Sequence, residues 1–213
     1  ALADMETDAD ILGYAMGLQK MGAGSVPTGM RYRKLGLPLS GIHWMWKYLG
    51  LPKVESIVGE GVDVVHATNF FLPPVKSAKR VLSVHDISFA THPEWVNAKV
   101  VKPYAGSMTR FCDEADGILV FSEFTKSEIV EHYGTGGEKI HVVPHGIRED
   151  WCCFDEAGAK EVVEGFGVMG PYVLYVGTIE ERKNIRGLLD AFERLGDVPH
   201  RLVLAGGMGW LPK

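Results

Sequence analysis

The chain has 213 residues, 46% of them apolar, and a formal net charge of −5, enough to bury one good core or one core and part of another. No stretch approaches the roughly 18 apolar residues of a membrane span, and the first ten residues are acidic where a secretory signal is basic and then apolar, so a cytoplasmic setting is expected. Without a basic excess, wholesale binding to a nucleic-acid backbone is excluded, and an anionic ligand has to be met by local charge.

The opening segment contains Asp8-Ala9-Asp10, a formal D-x-D. No strand precedes it and a helical pattern follows, so capping of that helix is its expected role. Residues 25–52 mix Pro, Gly and basic residues with Trp44, Trp46 and Tyr48, which predicts a loop and a short helix. Arg31, Arg33 and Lys34 beside Trp44 and Trp46 leave two readings open: a solvated loop next to core tryptophans, or a peripheral contact with an anionic membrane.

From residue 62 onward, short apolar runs alternate with helical patterns. Six runs, 62–66, 80–85, 117–121, 139–143, 172–176 and 201–205, are rich in Val, Ile or Leu without strict alternation. That is the mark of strands buried on both faces of a parallel sheet, with helices on both sides. Val100, Tyr104, Met108, Phe111 and Ala115 recur on one helical face. Cys112 lies among them and reads as core, while Cys152 and Cys153 read as free thiols, because a disulfide between neighbours is strained. Ser122 is placed to cap a helix that meets Gly134. Asn184 is placed to cap another, whose stripe of Ile185, Leu188, Leu189, Phe192 and Leu195 ends at Gly196. The predicted organisation is α/β, with a first domain over 1–150, an acidic, Gly-rich linker over 151–170 and a second domain beginning at 171.

In open parallel sheets ligands gather beyond the carboxyl ends of the strands, where loops and helix N-termini converge. The runs here end in His66, in His85-Asp86, in Ser122-Glu123, in Pro144-His145-Gly146, in Gly177-Thr178 and in Gly206-Gly207. The segment after the fifth run carries most information. Gly177 allows close backbone approach, Arg182 and Lys183 supply adjacent cations, and Asn184 opens a helix whose N-terminus favours anions. A diphosphate cradle is one reading, and a solvated pair of side chains in a βα loop is the other.

Here the residues resemble a known family. Gly177-Thr178-Ile179-Glu180-Glu181-Arg182-Lys183-Asn184 followed by Leu188-Leu189-Asp190-Ala191-Phe192 is similar to the donor-binding motif of the family-4 (group 1) retaining glycosyltransferases of the GT-B fold. Asp63-Val64-Val65-His66-Ala67-Thr68-Asn69, Val84-His85-Asp86-Ile87-Ser88-Phe89, Phe121-Ser122-Glu123-Phe124-Thr125-Lys126, Val142-Val143-Pro144-His145-Gly146-Ile147 and Leu204-Ala205-Gly206-Gly207-Met208-Gly209-Trp210 resemble its other blocks in order.

The resemblance implies two Rossmann-like domains facing a cleft, and transfer of a hexosyl-type sugar from a nucleotide-diphosphate donor to a saccharide or lipid-linked acceptor, as in polysaccharide biosynthesis. It implies that Gly177, Thr178, Arg182 and Lys183 hold the donor diphosphate, and that the catalytic candidates are His85, near the transferred sugar, and Asp86, toward the acceptor side; a strand-end histidine satisfied by a backbone carbonyl is the other reading of His85. Many relatives carry an arginine where this chain has Thr178, so part of the charge clamp is missing or supplied elsewhere. His66 and Asn69 are further cleft candidates, each with an equal claim to a structural role. Ser122 fits a helix cap better than a ligand, and His145 stands where the family commonly has asparagine and shapes the turn. Gly206 and Gly207 close the set. The resemblance implies no metal and no cofactor, and D-x-D belongs to a different, metal-dependent glycosyltransferase fold.

Relative to that family, the first strand and its glycine turn are expected to be missing, since Gly22-Ala23-Gly24 follows a helix-like stretch. The second domain is expected to be cut short, which would leave the fragment weak or inactive and prone to self-association through apolar edges. Two other functions remain in view: a non-catalytic binding or assembly module of the same fold, and a nucleotide-sugar epimerase. A dinucleotide oxidoreductase lacks its G-x-G-x-x-G after a strand.

Overall fold

The computed structural model describes residues 9–16, 31–96, 105–147, 149–153 and 155–209. The chain separates into two compact units, one made of residues 1–86 and 107–143 and the other of 87–106 and 144–213.

In the first unit, β1 (Leu12–Met16) runs parallel to β2 (Arg31–Leu35), with Leu12 opposite Arg31 and Met16 opposite Leu35. The helix expected at the start of the chain is therefore a strand. Asp10 caps no helix, and its carboxylate pairs instead with the Arg31 guanidinium at the head of β2. Tyr14 anchors β1 by packing on the buried cluster of Val54, Val65 and Ala78. Asp8 and Gly22-Ala23-Gly24 lie outside the described residues. Next, α1 (Leu39–Tyr48) turns Ile42 and Trp46 inward at an i, i+4 spacing. Trp46 is only 3% exposed, and its indole N–H donates to the Pro52 carbonyl at 2.8 Å. Trp44, on another face of the helix, is 56% exposed, so the two tryptophans do not share one surface. One further turn, α2 (Val54–Val58), leads into the main sheet.

That sheet has four parallel strands in chain order: β3 (Val64–Ala67), β4 (Lys79–Val84), β5 (Gly117–Val120) and β6 (Ile140–Val142). Leu82, Val84, Ile118, Val120 and Ile140 are buried, as the unbroken apolar runs require. Between β4 and β5, α3 (Met108–Glu114) buries Met108, Phe111 and Cys112; between β5 and β6, α4 (Glu123–Tyr133) buries Ile129. Ser122 caps α4 by accepting the Thr125 N–H at 3.1 Å, and Gly134 ends it in the left-handed region at φ 67°. Val100 and Tyr104 of the predicted helical face lie outside the described residues.

In the second unit, the span expected to be a linker contains α5 (Glu156–Gly165), started by Asp155, whose side chain accepts the Gly158 N–H at 3.1 Å. Beyond it, β7 (Tyr172–Val176) and β8 (Arg201–Ala205) pair in parallel, Tyr172 opposite Arg201 and Val176 opposite Ala205, with α6 (Ile185–Glu193) as the crossover. Burial on both faces is not met in β7: Val173, Leu174 and Val176 stay exposed.

Candidate active site

The loop leaving β7 is held by the loop leaving β8. Gly177 N–H donates to the Ala205 carbonyl at 2.9 Å, Ile179 N–H to Gly207 at 3.0 Å, and Gly209 N–H back to Ile179 at 3.0 Å. The pairing thus extends past the strand ends as a parallel bridge between Ile179 and Met208. Two glycines permit it. A Cβ on Gly206 would fall on the carbonyl group of Gly177, whose carbon lies 2.7 Å from that position. A Cβ on Gly209 would meet the Cβ of Glu180 at 3.1 Å. Gly177 itself sits at φ 156°, and the Tyr175 hydroxyl donates to the Thr178 carbonyl at 3.1 Å.

Within this frame Glu181–Lys183 forms a single 3-10 turn, and Asn184 at φ 49° opens α6. Asn184 combines two uses of its short amide: tolerance of the left-handed region and a cap, its Oδ1 accepting the Gly187 N–H at 3.3 Å. The chain therefore places Arg182 and Lys183 past the carboxyl end of β7, two residues and one residue before the Asn184 cap of α6. Arg182 Nη2 donates to Glu180 Oε1 at 3.2 Å, which orients the guanidinium and neutralises part of its charge. Among the described residues no carboxylate pairs with the Lys183 ammonium. The sequence reading missed Glu180 as an orienting group, although a carboxylate two residues before an arginine in a tight turn is a readable sign.

The carboxyl edge of the first unit gathers another set. His85 follows β4, and its Nε2 lies 3.2 Å from the Thr68 carbonyl oxygen beyond β3. A carbonyl only accepts, so in this bond Nε2 carries the hydrogen. The ring stacks on Phe121 at 4.7 Å beyond β5 and meets the edge of Phe70 at 6.3 Å. Three strand ends thus fix the orientation of His85, and Asp86 continues the chain beside it. Neither Phe70 nor Phe121 was among the site candidates read from the sequence, where Phe121 closed a strand run, because an aromatic at a strand end is indistinguishable there from core.

The other candidates divide. His66 lies within β3, bonds the Ser83 hydroxyl across to β4 at 2.8 Å, and has its pKa pushed down by burial, so it serves as a neutral cross-strand tie. Asn69 turns the chain, its Oδ1 accepting the Phe70 N–H at 2.9 Å. Ser122 is committed to its cap. His145 is exposed in the second unit, and Gly207 flanks the loop pairing already described. Among the described residues no cluster of His, Cys, Asp and Glu could hold a metal, and no helix is long and apolar enough to cross a membrane.

Each unit is thus a Rossmann-like α/β assembly, with parallel strands, helical crossovers and its polar and glycine residues at the carboxyl edge. Residues 22–151 match Glycosyltransferase Family 4, more than half of the chain, and the chain belongs to that family. It is 32% identical over 151 residues to the O-antigen chain mannosyltransferase B of Escherichia coli, covering 69% of this chain and 39% of that protein. It is 25% identical over 183 residues to the glycogen synthase of Mycobacterium tuberculosis, covering 82% of this chain and 38% of that protein. The chain therefore spans about two-fifths of the length of the curated relatives it matches. The family match ends before the 177–184 loop, whose reading rests on its geometry and motif.

Proposed function

We propose that this chain takes part in the transfer of a hexosyl-type sugar from a nucleotide-diphosphate donor to a saccharide or lipid-linked hydroxyl acceptor, with retention of configuration. One observation carries the reading: a hydrogen-bonded, glycine-permitted loop presents Arg182, Lys183 and the N-terminus of α6 together at the carboxyl edge of β7. Such an edge stabilises an anion through oriented N–H groups and local cations. In the reaction the bond from the sugar anomeric carbon to the diphosphate oxygen breaks and its electron pair moves onto the diphosphate. Arg182 and Lys183 stabilise that growing charge. The acceptor oxygen bonds the anomeric carbon and passes its proton to the departing diphosphate oxygen. His85, with Nε2 engaged by Thr68, and Asp86 are assigned to the sugar and acceptor side. No enzyme nucleophile, metal or cofactor is part of the proposal.

Calorimetry with a panel of nucleoside diphosphates tests it. Binding is expected for one of them, weakened about tenfold or more in Lys183→Ala, and kcat/KM of the intact enzyme is expected to fall about 10²-fold. Wild-type protein that binds none of the panel sinks the donor assignment. Binding without turnover by the intact enzyme points to an assembly module, and an epimerised donor sugar points to an epimerase. A peripheral membrane contact is supported by Trp44 and Tyr48, both exposed on α1 with rings 5.7 Å apart and Lys47 over the Tyr48 ring. Salt-sensitive co-sedimentation with anionic liposomes, lost in Trp44→Ala, is the expected result.

A further inference from the structure

The first unit has a charged concavity on the edge of its sheet opposite to His85. Lys79 begins β4 and Asp116 immediately precedes β5, so both mark the amino-terminal edge. A cavity of about 570 Å³ opens there. Five cations line it, Lys53, Lys76, Lys79, Arg80 and Arg110, against only two carboxylates, Glu114 and Asp116. Those carboxylates are already engaged. Lys79 Nζ pairs with Asp116 at 2.8 Å, while Glu114 takes Arg80 at 2.8 Å on one oxygen and Arg110 at 3.8 Å on the other. Lys76 reaches Glu60 at 3.6 Å, and among the described residues no carboxylate pairs with Lys53. The surface facing the cavity is mainly polar, with a smaller apolar part from the half-buried Pro74 and Val75 over the buried Trp46 and Leu72.

The wall that carries these cations is fixed before any ligand arrives. Glu55 is 4% exposed, and its Oε1 accepts the N–H groups of Lys76, Ser77 and Ala78 at 2.7, 3.0 and 3.2 Å. Val54 N–H donates to the Pro74 carbonyl at 3.0 Å. The Trp46 indole N–H, bonded to the Pro52 carbonyl, ties down the turn that leads to Lys53. Cations that line one concavity on an anchored backbone repel one another, and a multivalent anion relieves that repulsion without reorganising the loop. The volume falls within the ordinary range for a small ligand, which combines an apolar wall with a few fixed polar groups.

We propose that this cavity binds a phosphate-bearing ligand, its phosphate or diphosphate group seated by Lys53, Lys76 and Arg110 and its less polar part against the half-buried Pro74 and Val75. A guanidinium and two ammonium groups suit the several oxygens and multiple charge of a phosphate ester better than a single carboxylate. The site shares no residue with the donor loop, and the proposal does not depend on that loop's role. Its phosphate comes from a soluble ester or from a lipid.

The test uses the full chain carrying Arg182→Ala and Lys183→Ala, which takes the donor loop out of play, compared with the same protein bearing Lys53→Ala and Lys76→Ala. Inorganic pyrophosphate is titrated while the amide resonances of Lys76, Ser77 and Ala78 are followed. In parallel, the proteins are sedimented with vesicles containing phosphatidic acid or phosphatidylcholine alone. Saturable pyrophosphate binding that weakens at least tenfold in the lysine variant, at an unchanged unfolding midpoint, supports the site with a soluble ligand. Sedimentation with phosphatidic acid vesicles only, lost in the same variant, supports it with a lipid phosphate. No binding in either arm, or binding indifferent to the two lysines, overturns the proposal.

Discussion

Replacing Gly206 by alanine tests whether the candidate donor loop is set by the contact between two backbones. The new Cβ would fall on the Gly177 carbonyl, whose carbon is 2.7 Å away, and backbone cannot swing aside as a side chain can. Ordinary contact requires the two loops to part by about an ångström. That strains three hydrogen bonds, Gly177 to Ala205, Ile179 to Gly207 and Gly209 to Ile179. At about 0.5–1.5 kcal/mol net for each bond, the loss is about 2–4 kcal/mol. The lower chain entropy of unfolded alanine returns roughly 0.4–1 kcal/mol. A net cost of about 1–3 kcal/mol follows, read as a roughly ten- to hundredfold loss of hydrogen-exchange protection at the Ile179 and Gly209 amides, with weaker nucleotide binding. Gly207→Ala is the control: nothing lies within 4 Å of its added Cβ, so it is expected to be neutral or slightly stabilising. Wild-type protection in Gly206→Ala, or greater damage from Gly207→Ala, would refute the reasoning.

Burial pushes the Glu55 carboxyl up, but its own N–H and those of Lys76, Ser77 and Ala78 outweigh that and hold it down at about 2, against 4.5 for the free group. A depressed pKa contributes stability that is present above about pH 4.5 and lost as pH falls toward 2, worth roughly 1–3 kcal/mol after screening at the loop edge; urea midpoints from pH 6 to 3 should fall more steeply for wild type than for Glu55→Gln. Asn184→Ala removes a cap and forces a left-handed alanine, costing about 1–2 kcal/mol in urea unfolding, while Asn184→Gly keeps the backbone freedom and should cost less. Glu180→Gln frees Arg182 from its carboxylate and is expected to tighten nucleoside-diphosphate binding about two- to fivefold at low salt by calorimetry, an advantage that shrinks as salt rises.

The sequence signals that succeeded were local. The runs 172–176 and 201–205 coincide with β7 and β8, because unbroken Val and Leu runs bounded by Gly or Pro have little alternative to an extended strand. Ser122, Gly134, Asn184 and Gly196 were readable as helix ends because a cap or a left-handed turn is decided by one side chain and its nearest amides. The misses were non-local. Leu12-Gly13-Tyr14-Ala15-Met16 suits a helix as well as a strand, and what decides is the partner that begins at Arg31. The helix Glu156–Gly165 was hidden by acidic and glycine content, although Asp155 starts it with an ordinary cap. Glu55 anchors amides 21 to 23 positions away, which no motif announces.

The same distinction explains how the candidate site is built. In the 177–209 region the residues that shape the backbone, Gly177, Asn184, Gly206 and Gly209, bear no net charge, whereas Arg182 and Lys183 contribute charge and little of the pairing between the loops. Changes to the first group should alter stability and binding together; changes to Lys183 should alter binding at nearly constant stability. Arg182 stands between, because its guanidinium is already oriented by Glu180, so an incoming diphosphate has to compete with a carboxylate for it. Lys183 meets no such competitor among the described residues and is therefore the side chain on which the affinity for an anion should depend most.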